Sequence, residues 1–198
     1  MAVFTGYNAS VYIASGTPVS FTNEATTASS DYKVYAITNQ AKRFWSRNYA
    51  VTVKKNGNII TTGFTVQYPG GKIIFTTALQ PTDVVTVSGY YIPVSQIAQA
   101  KEWSLDVDAE TQDATVFGSQ WKQFVVTYRS GSGSLSQWWA DSFFLNNLAG
   151  LLGFELNVES GKAYRFYGYL TKDSIKVAAD SLVEESLDFV ADGQIYYG

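Results

Sequence analysis

Cysteine and histidine are both absent from this 198-residue chain. Without thiolate or imidazole there is no disulfide, no zinc site built on nitrogen and sulfur, and no Ser-His-Asp or Cys-His nucleophilic machinery. With histidine gone, no side chain at its ordinary pKa changes charge near neutral pH. Proline is scarce, at four residues, and charged side chains are 16% of the chain; the usual share is about a quarter. Much of the surface must therefore be covered by Ser, Thr, Asn and Gln or by other subunits. The 14 Lys and Arg against 17 Asp and Glu, net −3, leave no basic cluster of the kind that grips nucleic-acid phosphate. No apolar run approaches the roughly 18 residues of a spanning helix. The opening Met-Ala-Val-Phe-Thr-Gly-Tyr lacks the basic start and apolar core of a secretory leader.

Aromatic residues, by contrast, are 16% of the chain, 14 of them Tyr. Tyr suits strands and interfaces because its ring is apolar and its hydroxyl tolerates water. The most informative pattern is an alternation at 101–108. Trp103, Leu105 and Val107 point one way; Glu102, Ser104, Asp106 and Asp108 point the other. It recurs near the end, where Val183, Leu187 and Phe189, interrupted by Glu185, alternate with Glu184, Ser186 and Asp188. A sheet with one packed and one acidic face must turn the acidic side to water.

Strand signals follow at close intervals between turns. They are Lys33–Thr38, Ala50–Val53, Asn58–Thr62 after the Asn56-Gly57 hairpin turn, Phe64–Tyr68, Lys72–Thr76 and Val84–Tyr91. Pro93–Ala100 reads as a connector, Lys101–Asp108 as the acidic strand and Ala109–Gln120 as irregular. Trp121–Arg129 alternates, Ser130-Gly131-Ser132-Gly133 reads as a turn, and Ser134–Trp139 as its return strand. Asp141-Ser142 and Gly153 bracket a helix over 141–152 with an apolar stripe of Phe144, Leu145, Leu148, Leu151 and Leu152. Then come Phe154–Val158, Lys162–Leu170, Ser174–Ala179 and Leu182–Val190, with Asp173 in a turn. Residues 1–31 are polar, punctuated by Phe4, Tyr7, Val11 and Tyr12, and read either as a loose terminus with one or two weak strands or as an arm ordered on a partner subunit. The fold class expected is mainly β, two packed antiparallel sheets with one flanking α-helix around 141–152.

Candidate chemistry is thin. Asp106, Asp108, Glu110 and Asp113 suggest half of a calcium loop, but position 111 is Thr where Gly is needed, and Phe117 sits where the bidentate acid belongs. Neither a metal nor a cofactor is expected. Nothing in the sequence brings Glu110 to Glu155 or Glu184 as a glycosidase pair, so no enzyme activity is expected. Trp103 and Trp121 are expected on core faces. Trp138 and Trp139 are adjacent and must point to opposite faces, so one of them is left for an interface.

The order of elements resembles a major tail tube protein of a long-tailed, non-contractile bacteriophage. The likeness rests on Leu105-Asp-Val-Asp-Ala-Glu-Thr-Gln-Asp-Ala-Thr-Val-Phe-Gly-Ser-Gln-Trp121 after the acidic strand and on Phe189-Val-Ala-Asp-Gly193 at the close. It covers residues 95–198; residues 36–92 are similar to the hairpin-rich N-terminal part of some such proteins. The resemblance implies an arm at 1–31 and a single β domain over 32–198. It implies stacked, hexameric rings whose inner strands line a bore for DNA, without tight binding or membrane insertion. The implied partners are other copies, a tape measure protein, a tail terminator and distal tail or baseplate proteins. The implied location is the virion, after assembly in the host cytoplasm. In that architecture Glu102, Asp106, Asp108, Glu184 and Asp188 are expected to line the bore. Arg43, Arg47, Lys54, Lys55, Asn56, Gly57, Trp138, Trp139, Phe4 and Tyr7 are expected at contacts between copies. The alternatives are a carbohydrate-binding β-sandwich and the inner tube of a contractile tail or type VI-like device.

Overall fold

The computed structural model describes residues 10–98, 100–159 and 161–198. The chain is mainly β, as its alternation requires, and builds two antiparallel sheets. Strand β1 (Ser10–Ala14) starts in the first sheet. The chain then leaves it for the whole second sheet: β2 (Val19–Ala28), β3 (Val34–Ile37), β4 (Thr52–Lys55), β5 (Asn58–Ile60), β6 (Phe64–Gln67), β7 (Lys72–Phe75) and β8 (Val85–Tyr91). It returns in β9 (Val94–Gln96), which pairs back onto β1 with Ala14 opposite Val94. The seven-stranded sheet, ordered β5-β4-β8-β2-β3-β7-β6, is thus an insertion whose two ends lie side by side.

The rest of the chain completes the first sheet. It comprises β10 (Ala100–Asp113), β11 (Phe124–Trp138), the four-residue helix α1 (Phe143–Asn146), β12 (Leu151–Glu159), β13 (Lys162–Lys176), β14 (Glu184–Ala191) and β15 (Tyr196–Tyr197). The spatial order is β10-β11-β14-β13-β12-β1-β9, with β15 on β13. This sheet curls into a half-barrel. Its inner side holds a core of Val11, Ile13, Leu135, Leu152, Phe154, Leu156, Phe166, Leu170, Leu187 and Phe189, closed by Phe144 of α1. Phe154, Phe166 and Phe189 form a triangle of mutually packed rings, Phe154 stacking on the other two at 5.2 and 4.8 Å.

The second sheet has a separate core around Phe21, Tyr35, Ile37, Trp45, Val53, Ile73 and Val87. A small third cluster joins the two: Phe44 packs on Ala14 and, edge to face at 5.9 Å, on Tyr167. Beside it lies an ion triad. Arg43 Nε and Arg165 Nε each donate to Glu155 Oε2 at 2.6 Å, with all three side chains largely buried.

Several local readings are corrected. The helix is confined to Phe143–Asn146, because Ala149 turns at φ 60° and Leu151 and Leu152 leave the stripe to pair with Tyr169 and Gly168. Ser130–Gly133 is the middle of β11, not a turn. Gly133 lies so close to the Ser104 carbonyl and the Phe189 ring that a Cβ would collide with both. Asp173 sits inside β13, which runs past the expected turn with a bulge at Leu170/Lys172. The connector 93–100 contains β9, and β10 runs on into the segment read as irregular. Within the expected arm, residues 10–28 do hold two strands, β1 and β2, but these are paired members of the two sheets.

Candidate assembly surfaces

Register decides where the acids go. Glu102, Ser104, Asp106 and Asp108 of β10 lie opposite Ser136, Ser134, Ser132 and Ser130 of β11. Ser136 and Ser134 in turn lie opposite Ser186 and Asp188 of β14, and Trp138 opposite Glu184. Residues directly paired across a sheet project to the same face. The five acids expected to act together, Glu102, Asp106, Asp108, Glu184 and Asp188, therefore share the outer face of the half-barrel, separated by a band of serines. Those of β10 are exposed, while Glu184 and Asp188 are half-buried.

Basic side chains temper this face. Lys101 Nζ reaches Glu184 Oε1 at 2.8 Å and lies 3.9 Å from the Trp138 ring centre. That contact holds the Glu184 carboxyl below the ordinary carboxylate range. Lys172 stands 4.0 Å from Asp188. The free negative charge is thus concentrated at the β10 side.

Among the described residues, two edges of the curled sheet are unpaired. One is β10, 14 residues long; the other is the short β9. Beyond the bulge at Ala109/Thr111, β10 and β11 continue as a two-stranded ribbon, with β14 pairing no further than Ser132. This ribbon is apolar where nothing covers it. Phe117 and Trp121 are 109% and 83% exposed, and Val116, Phe124, Val125, Val126 and Tyr128 are exposed too. Trp121, expected in a core, is therefore at the tip of a projecting arm. Nothing in the alternation of Trp121–Arg129 distinguishes a ribbon without a core from a strand with one.

The basic residues expected at contacts between copies mostly have partners within the chain. Arg43 is in the buried triad and stacks 5.1 Å from the Tyr12 ring. Arg47 pairs with Asp192 and lies over Tyr167. Lys55 approaches Asp83 at 3.4 Å. Asn56, at φ 50°, bonds Asp83 and the Val84 amide through its side chain, and with Gly57 at φ 83° forms the hairpin turn. Lys54 and Gly57 stay on the surface of that hairpin. Trp138 is half-buried and Trp139 is exposed at the end of β11. Phe4 and Tyr7 lie outside the described residues.

Among the described residues no group of three or more acidic side chains is placed to hold a metal ion, and no helix is long and apolar enough to cross a membrane. No family model and no curated protein matches the chain. Among solved structures, it is similar to a chain in the tail of an empty GTA particle, computed with helical refinement and C6 symmetry. The two share 17% identity with a TM-score of 0.46, over 54% of this chain and 87% of that one. It is also similar to a chain in the virion of a native gene transfer agent particle, at 17% identity and a TM-score of 0.45, over 53% of this chain and 88% of that one.

Proposed function

We propose that this protein is a structural subunit that polymerises into a tail tube, in rings whose bore is lined by the acidic face of β10. The carrying observation is the open half-barrel: a sheet curled halfway around a core, ending at a 14-residue edge with no partner among the described residues and acid on its outer face. An exposed edge of that length is a template for another chain, and cyclic closure of several copies removes it. Closing the ring edge to edge gathers Glu102, Asp106 and Asp108 from every copy around one axis, with Glu184 and Asp188 behind them. A negative wall repels phosphate, so a passing polyanion slides and does not stick.

Axial growth requires a second contact. The apolar ribbon at 109–129 supplies it better than the hairpin at Asn56-Gly57, whose turn is tied down within the chain. A head-to-tail contact of this kind does not close and so extends a filament. The partners in this reading are other copies, with tape measure, terminator and distal tail proteins at the tube's ends, and the tube belongs to the virion.

Cryo-electron microscopy of the concentrated full-length protein tests it. The expected result is rings or tubes with the β10 acids facing a central hole. Reversing Asp106 and Asp108 to Lys is expected to leave the tubes intact but make their lumen retain DNA at low salt. A chain that stays monomeric at every concentration, or tubes with these acids on the outside, overturns the proposal.

A further inference from the structure

Glu155 and Glu185 are the buried carboxylates among the described residues. Glu155 has two guanidinium partners. Glu185, 1% exposed on the core side of β14, has no cation. Its Oε2 accepts a hydrogen bond from Gln137 Nε2 in β11, while Oε1 meets no donor. Asp173 lies diagonally across on β13, and both of its carboxylate oxygens are likewise buried and without a donor. The charged groups acting on Glu185 are Asp173 and, from the loop after β11, Asp141. All are acidic. The β13 residue opposite Glu185 is Ile175. A cleft of about 300 Å³, lined in part by Gln137, Asp141, Phe143 and Phe144, opens at this corner.

Three buried carboxylate oxygens without a donor are untenable if both groups are ionised. Burial and like charge each disfavour a second negative charge on Glu185. We propose that Glu185 keeps its proton at neutral pH, and that its O–H, pointed at Asp173, clips β13 to β14 beneath α1. That O–H donates to the Asp173 carboxylate and turns two orphaned acceptors into one charge-assisted hydrogen bond. Consistent with this, burial pushes the Glu185 carboxyl above its ordinary range and Asp173 pushes it the same way, against the opposing hydrogen bond from Gln137. The sign follows from linkage. A carboxyl raised in the folded state contributes stability that is complete below its unfolded value, about 4.3, and is lost as pH rises through the folded value. The clip therefore loosens toward alkaline pH.

The test compares the full chain with Glu185→Gln, which keeps the shape and supplies a permanent donor to Asp173. Urea midpoints are read between about pH 5 and about pH 8, with light scattering confirming one assembly state. The variant is expected to gain on the wild type steadily as pH rises. Infrared spectra at neutral pH are expected to show a protonated-carboxyl C=O band in the wild type that the variant lacks. Should Glu185→Gln not fold, Asp173→Asn serves the same comparison, since its amide donates to Glu185. Parallel pH curves, or no such band, overturn the proposal. So does a loss of wild-type stability on adding EDTA, which would put a cation where the proton is placed.

Discussion

Glu155 is the residue on which the union of the two sheets turns. Burial alone would raise its carboxyl, but hydrogen bonds from Arg43 and Arg165 outweigh this and hold it below the ordinary carboxylate range. Removing the acid strands two buried guanidiniums, a loss of about 3–5 kcal/mol by analogy with other buried pairs. Glu155→Gln is therefore expected to lower the urea unfolding midpoint sharply at neutral pH. The pH dependence has the opposite sign to that of Glu185. A depressed carboxyl contributes stability above its unfolded value, about 4.3, and loses it as pH falls through the folded value. The wild type should thus lose stability in acid faster than the variant, and the two midpoints should converge there. A constant gap down to the acid limit would show that the triad contributes nothing electrostatic.

At the scale of elements, the ribbon formed by the far ends of β10 and β11 stands apart. An isolated two-stranded ribbon is marginal in water, and this one carries Phe117, Trp121 and Tyr128 with no core beneath them. Its own folding gains little from those side chains, and an exposed apolar surface of this kind is what the proposed assembly would bury. Replacing residues 114–123 by a two-residue turn is expected to change the thermal midpoint of the unassembled chain little. In the proposed assembly it should stop growth at single rings, or leave monomers, in sedimentation velocity. Long tubes from the shortened chain would move the axial contact elsewhere. The neighbouring stretch explains why this arm was illegible in advance. Ser-Gly-Ser-Gly at 130–133 has the composition of a turn, yet here the small residues let β10 and Phe189 close in on β11. Tertiary packing, not local propensity, set that conformation.

For the whole molecule, the decisive feature is that two cores share one small joint. The chain crosses between the sheets twice, after Ala14 and before Val94, and Phe44 fills the gap against Ala14 and Tyr167. Phe44→Ala removes a fully buried ring, a cost of about 3–5 kcal/mol, and loosens the interface without touching either main core. Differential scanning calorimetry is expected to show one unfolding transition in the wild type and two in the variant. A single transition shifted to lower temperature would mean that the sheets remain one cooperative unit through their paired crossings alone. The sequence of residues 10–28 suggested no more than weak strands, because their polar, widely spaced pattern hides that β1 is sandwiched between β12 and β9.

The sequence by itself determined the β class and the one-sidedness of the strands at 101–108 and 183–189, since side chains alternate with a period of two in any extended chain. Its missing Cys and His removed whole branches of chemistry before any fold was known. It could not show that the acids of β10 and β14 share a surface, because that depends on β11 lying between them in a register that only long-range pairing sets. Nor could it assign Glu185, an acid in an apolar row, whose meaning rests on Asp173 from another strand. Long-range pairing is where a one-dimensional pattern ends: each strand states which of its faces is wet, and only the assembled sheet states what that wet face adjoins.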